Sequence, residues 1–141
     1  MILRRPVDHK YRVSLRFGRP WIIFGRFHKG TDFACPIGTK GLGMTSLETV
    51  VYAGYDRSPG AFQLKGGFGL YIKTQHISKD GNLIYLYYAH LSKTLIQVGQ
   101  KMSWNVIAYE TGNSGNSTGP HLHVEGRMHG ESINLEKYFV A

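Results

Sequence analysis

The stretch Gly119-Pro120-His121-Leu122-His123-Val124-Glu125 restricts this chain's fold more than any other. Proline fixes its own φ and has no N–H to give, so it belongs at the entry of a strand and not inside one. Behind it, Leu122 and Val124 alternate with His121 and His123. A period of two places the histidines on one face and the apolar pair on the other. Their Cα atoms then lie roughly 6–7 Å apart, which lets one imidazole hold a metal while the other reaches a water on it. Two surface histidines on an edge strand would leave the same trace, so the rest of the chain has to decide.

That rest reads as more strands. Tyr11, Val13, Leu15 and Phe17 alternate with polar residues and predict a strand over 11–17, stopped by Gly18-Arg19-Pro20. Thr49–Tyr55 is apolar enough for a strand buried on both faces, followed by a loop through Asp56–Gly60. Gly66-Gly67-Phe68-Gly69 opens a strand over 70–76. It lacks the Lys-Ser/Thr of a phosphate loop and precedes no helix, so it is no nucleotide site. Lys79-Asp80-Gly81-Asn82 predicts a hairpin turn leading into Leu83–His90. Thr94–Val98 and Val106–Tyr109 predict two further strands, and only Asn134–Phe139 suggests a helical turn, capped by Asn134. With 18 glycines and 13% aromatics in 141 residues, the expectation is one mainly β domain spanning 1–141, its antiparallel sheets folded as a sandwich.

His28 and Asp32 stand four apart around Gly30. Fully extended, they would lie ~13 Å from each other; a bend at Gly30 would bring them within reach of one ion. His28, Asp32 and His123 then make two imidazoles and a carboxylate, with a fourth position open, as in a catalytic zinc site. Oxygen and nitrogen donors without sulfur suit Zn²⁺ among other divalent ions. Lone Cys35 has no partner for a disulfide or thiolate site and packs as a small apolar residue. His121 would be the general base beside the ion. His90, at the end of its strand, would be either structural or the second histidine of that pair, steadying charge on a tetrahedral intermediate. Zinc lowers the pKa of a water it holds from 15.7 to about 7, which makes a nucleophile available at neutral pH.

The motifs together resemble those of the lysostaphin-type (LytM-like) zinc endopeptidases that cut peptidoglycan peptides. They are His-Lys-Gly-Thr-Asp-Phe-Ala at 28–34, Pro-Ile-Gly-Thr at 36–39 and Val-Tyr-Ala-Gly at 51–54. Tyr-Ala-His-Leu-Ser at 88–92, Val-Gly-Gln-Lys at 98–101 and Ser-Thr-Gly-Pro-His-Leu-His-Val-Glu at 117–125 complete the set. The resemblance spans residues 18–139 and leaves a basic N-terminal segment, 1–17. It implies one zinc per chain on His28, Asp32 and His123, with His121 and His90 as the catalytic pair. Glu48 stands where that family usually has glycine, so residues 40–48 are expected to form a loop of their own.

A net charge of +8 calls for an acidic partner, and the arginines of residues 1–20 are either a solvated face or a contact for anionic wall polymers. No strand pair reads as surface aromatics interleaved with Lys or Arg, which sets nucleic acid aside. A non-catalytic peptidoglycan-binding or adaptor module of the same fold is the competing reading. The sequence offers no membrane span and no signal peptide. For a protein acting on the bacterial wall, that suggests a phage-encoded lysin or virion-borne hydrolase, or a domain cut from a secreted protein. The bond cut is either a glycyl-glycine bond or a D-amino-acid link.

Overall fold

The computed structural model describes residues 1–21, 26–56 and 67–140. Twelve strands follow the sequence: β1 Val13–Leu15, β2 Pro20–Trp21, β3 Arg26–Phe27, β4 Thr31–Phe33, β5 Lys40–Leu42, β6 Glu48–Tyr55, β7 Leu70–Ile77, β8 Leu83–Thr94, β9 Lys101–Met102, β10 Ile107–Thr111, β11 Leu122–Met128 and β12 Glu131–Ile133. Ten of them form one sheet in the order β1-β4-β11-β8-β7-β6-β9, with β10 joined to β8 and β5, and β12 joined to β11; β2 and β3 make a separate ribbon. Every strand pairing is antiparallel. The described residues are thus mainly β with almost no helix, and the large sheet branches at its longest strand.

That strand is β8. Ile84–Ala89 pair with β11, whereas Leu91–Thr94 pair with β10. Between the two partners stands His90, at a φ of 62°, a region that few residues other than glycine occupy. On the other side of β8, the register with β7 steps from Tyr88 opposite Ile72 to Leu91 opposite Leu70. One extra residue on one strand is a bulge, which bends the strand and re-aims a side chain. The strand expected to end at His90 therefore continues past it, and His90 is where it turns from one partner to the other.

Other expectations shift for local reasons. The strand predicted over 11–17 is only Val13–Leu15, because its partner β4 is three residues long. Residues 95–98 belong to no strand: β8 uses Thr94 as its last paired residue. The Thr49–Tyr55 segment is not buried on both faces, since Tyr52 and Tyr55 are 37% and 42% exposed. Its apolar character serves a face of surface tyrosines instead. Arg57–Gly60 of the expected loop, and Gly66, fall outside the described residues. The hairpin turn holds, with Gly81 at φ 82°. The tail makes one 3-10 turn over Leu135–Lys137, and the Asn134 side chain accepts from the Glu136 N–H. No helix among the described residues is long and apolar enough to cross a membrane.

Alternate residues of β8, Ile84, Leu86 and Tyr88, enter the core with Phe33, Ile72, Leu122, Val124 and Met102. Each such burial contributes roughly 1.5–3 kcal/mol. Cys35 packs there too, 4% exposed. The other face of β7 and β8 carries Tyr71, Lys73, Tyr85 and Tyr87, with the Lys73 ammonium 4.4 Å from the Tyr85 ring centre. This is an interleaved aromatic and cationic set of the kind the sequence was read as lacking; alternation hid it among core residues of the same strands.

Glu48 is completely buried. Its carboxylate accepts from the N–H groups of Met44 and Thr45, from Thr74 Oγ1 and from the Tyr88 hydroxyl, all at 2.6–2.9 Å. The loop expected over residues 40–48 is shorter than that: Lys40–Leu42 form β5 and pair with β10, Glu48 opens β6, and only residues 43–47 connect them, anchored inward by this carboxylate. Several N-terminal arginines are likewise engaged. Arg16 pairs with Glu136, Arg5 donates to the Tyr11 carbonyl, and the Arg4 guanidinium lies 4.2 Å from the Trp104 ring centre.

Candidate metal centre

The site forms where β4, next to the edge strand β1, pairs with β11. Register places Asp32 directly opposite His123 on β11, so a carboxylate and an imidazole share one face by strand pairing alone. His28 joins from the segment ahead of β4, which bends at Gly30. A Cβ at residue 30 would meet the Val124 carbonyl oxygen at 2.2 Å and His123 Cε1 at 2.7 Å. Glycine is required there for close approach. The result brings His28 Nε2 to 3.2 Å and His123 Nδ1 to 2.6 Å from the same oxygen, Asp32 Oδ1. Donor atoms of His28, Asp32 and His123 all lie within 4.8 Å of one another, and all three residues are buried.

Backbone carbonyls set the tautomers. A carbonyl only accepts, so an imidazole nitrogen facing one carries the proton. His28 Nδ1 faces the Arg16 carbonyl at 3.3 Å, His90 Nδ1 that of Ser114 at 2.7 Å, and His121 Nδ1 that of Gly119 at 2.7 Å. When such a ring loses its second proton, Nε2 is the nitrogen left with the lone pair. For His121, Nε2 lies 3.5 Å from Asp32 Oδ2. His123 is oriented the other way. Its Nε2–H donates to Glu125 Oε1 at 2.9 Å, and Nδ1 meets Asp32. Glu125, 5% exposed, is in turn held by Arg127 at 2.9 Å.

Electrostatics follow from these contacts. Burial pushes the Asp32 carboxyl up, but hydrogen bonds from His123 and His28 overcome it and hold the group well below the usual carboxylate range. Burial pushes His123 down, yet the Asp32 and Glu125 carboxylates on either side raise it to about 9. His90 drops to about 3, through burial and then the nearby His123 and His121 charges. Without metal, His123 thus carries a proton between two carboxylates, while His90 is neutral. Two imidazole nitrogens and one ionised carboxylate oxygen, converging at a solvent-reachable cleft, are a donor set that fits zinc with room for a further ligand.

The cleft has a volume of about 500 Å³, and His28, Asp32, His90, His121 and His123 all line it. The five residues singled out from sequence are therefore together. Phe68, Glu125 and Arg127 also reach it and were not singled out. For Glu125 and Arg127 a signal existed, since they continue the period of two from His123 on the same strand face. None of residues 40–48 lines it.

Residues 26–135 match the profile of peptidase family M23. Among curated proteins, the chain is 38% identical over 138 residues to peptidoglycan DD-endopeptidase ShyA of Vibrio cholerae, which covers 95% of this chain and 29% of that protein. It is 32% identical over 126 residues to the DD-carboxypeptidase/endopeptidase Mpg of Neisseria meningitidis, covering 87% of this chain and 26% of the relative. The chain spans about a third or less of such relatives. Among solved structures, the catalytic domain of the antimicrobial peptidase lysostaphin from Staphylococcus simulans superposes with a TM-score of 0.74 at 28% identity, covering 92% of both chains. A zinc-containing peptidase from Vibrio cholerae also superposes with a TM-score of 0.74 at 28% identity, over 95% of this chain and 39% of that one.

Proposed function

This chain belongs to peptidase family M23, and from that premise we propose that it is a zinc-dependent endopeptidase that hydrolyses peptide bonds in bacterial peptidoglycan. The observation that carries the reading is the convergence of His28, Asp32 and His123 donor atoms within 4.8 Å in a cleft shared with two further histidines. His28 Nε2, Asp32 Oδ1 and His123 Nδ1 would hold the ion. Bound there, zinc supplies a Lewis acid for a carbonyl oxygen and lowers the pKa of a water it holds.

The chain's own residues do the rest. His121, its Nδ1–H fixed on Gly119, offers Nε2 to take a proton from the attacking water and to return it to the leaving amine. Steadying a negative oxygen requires an N–H, and neutral His90 already gives its own to Ser114. The part that fits His90 is to accept the second hydrogen of that water and fix its orientation. Glu125 holds His123 in the tautomer that leaves Nδ1 free, as outer carboxylates do for metal-bound histidines.

The names of the relatives support a D,D bond as the one cut, since ShyA and Mpg are named for DD activity. A charge of +8 supports attraction to anionic wall polymers over ~8–10 Å at physiological salt. The test is to digest purified walls from several hosts with zinc-loaded protein and to identify new termini by mass spectrometry. New amino termini at D,D cross-links are expected. Wall binding by zinc-loaded protein with no new termini would leave an adaptor module instead.

A further inference from the structure

The sheet face that carries Asp32 and His123 does not end at the cleft. Across β11, β8, β7 and β6, register places Glu125 opposite Tyr87, Tyr87 opposite Lys73 and Lys73 opposite Tyr52. One row further, Arg127 stands opposite Tyr85 and Tyr85 opposite Gln75. Ring contacts join these residues into one strip. Tyr52 and Tyr71 have centroids 4.8 Å apart, Tyr71 and Tyr87 6.4 Å, Phe68 and Tyr87 5.5 Å, and Phe68 and His123 6.1 Å. From β11 to β6 is three inter-strand spacings, about 14 Å. Phe68, Glu125 and Arg127 belong to both the strip and the cleft. The two are one continuous surface.

What such a strip can bind depends on which parts of the rings are free. Tyr52 and Tyr71 are inclined by only 29°, and Tyr71 and Tyr87 by 25°, so these rings turn their faces to one another. Lys73 lies over Tyr85 and Tyr87, and Arg127 over Tyr87 while paired with Glu125. Bases of a single-stranded nucleic acid need open ring faces to stack on and free cations for phosphates. Here Tyr71 has a ring neighbour in Tyr52 and another in Tyr87, and the two cations are held on the rings. The strip offers ring edges, amide and ammonium N–H donors and phenol groups, set on a half-buried apolar surface. That suits a chain of N-acetylated sugars, whose C–H edges and methyl groups pack on apolar surface while carbonyl and hydroxyl oxygens accept hydrogen bonds.

We propose that the strip formed by Tyr52, Tyr71, Lys73, Gln75 and Tyr85, packed on the buried Tyr87, holds the glycan strand of peptidoglycan, so that the peptide attached to it falls into the cleft. This rests on the peptidoglycan reading above and extends it from peptide to polysaccharide. The experiment measures binding of zinc-loaded protein, by calorimetry, to peptide-free N-acetylated glycan strands and to a single-stranded oligonucleotide of equal length. Cleavage of a free cross-linked muropeptide is followed in parallel. Saturable glycan binding is expected, weakened at least fivefold in Tyr71→Ala and in Lys73→Ala and less in Tyr71→Phe, with Lys79→Ala, on the distant hairpin turn, as the unchanged control. The Phe variant keeps the ring packing, so its loss reports the hydroxyl and not a collapsed strip. Muropeptide cleavage without any glycan binding would overturn the strip and leave the peptidase standing. Glycan binding indifferent to Tyr71 and Lys73 would overturn the location. Tighter binding of the oligonucleotide would overturn the choice of polymer. Failure to cleave the muropeptide at all would fall on the peptidase reading instead.

Discussion

Two buried carboxylates, Asp32 and Glu48, sit in this sheet with opposite company. Glu48, wholly buried, is surrounded by fixed neutral donors: two backbone N–H groups and two hydroxyls. Each of those groups has one thing to offer it, a proton. Asp32, 8% exposed, is surrounded by His28, His121 and His123. Each of these can donate a proton or, once it has lost that proton, present a lone pair. The first cluster is closed and structural. The second can exchange its protons for a cation without moving its atoms far. Burial and hydrogen bonding alone do not separate a site from a scaffold; the chemical versatility of the partners does.

Removing the carboxylate should break the comparison most sharply. Asp32→Ala should lose both zinc and wall hydrolysis completely while remaining folded, because two imidazoles leave the ion a ligand short. Glu48→Leu should do the reverse. Each donor left without an acceptor costs about 1–3 kcal/mol, so the denaturant midpoint should drop markedly while folded chains still carry zinc. Metal content by mass spectrometry, set beside the unfolding curves, reads both. A zinc-loaded Asp32→Ala protein would remove this residue from the ligand set.

Next in size is the histidine that lends a lone pair without holding the ion. His121→Ala should keep its zinc and lose about 10²–10⁴-fold in turnover, whereas His123→Ala should lose the metal. Swapped phenotypes would reverse the roles along β11.

How far the sequence revealed this contrast varies between the two clusters. The Asp32 cluster was legible because its members lie in short motifs whose local geometry, a bend at Gly30 and a period of two after Pro120, brings side chains together. The Glu48 cluster was not. Its donors come from residues 44, 45, 74 and 88, and nothing near Glu48 in sequence announces Tyr88 or Thr74. The same limit explains the strand expected over Thr94–Val98 and the overlooked tyrosine strip. Alternation reports which residues share a face, not which strand lies alongside or which of two faces meets the core.

Acid–base behaviour gives a third, smaller handle. In metal-free protein His123 is raised to about 9, above the usual ~6.5 for histidine. A raised folded value means its contribution to stability is full below pH 6.5 and is lost as pH climbs through about 9, at up to about 1.4 kcal/mol per pH unit. The midpoint of stripped protein should therefore fall between pH 6.5 and 9. The Glu48→Leu variant should keep that slope, and Asp32→Ala should flatten it. An unchanged slope in Asp32→Ala would show that the carboxylate does not hold the proton on His123.

The smallest effect should come from one bond further out. Glu125→Gln should weaken zinc binding by about 10–100-fold, read by competition with a chromophoric chelator, without altering the ligand count. No change in affinity would mean that packing alone orients His123.

The pairing of β4 with β11 joins residues 91 positions apart in the chain, while β7 and β8 are joined by the five residues 78–82. Closing a long loop carries an entropic cost that short hairpins avoid, and non-local strand pairs assemble late for that reason. The ion's three ligands therefore meet only when the two ends of the domain have found each other. An ion that binds only that finished arrangement acts on the way out of the native state and not on the way in. Added zinc should leave the refolding rate almost untouched and slow unfolding, so that the loaded domain persists kinetically in conditions where the stripped one comes apart.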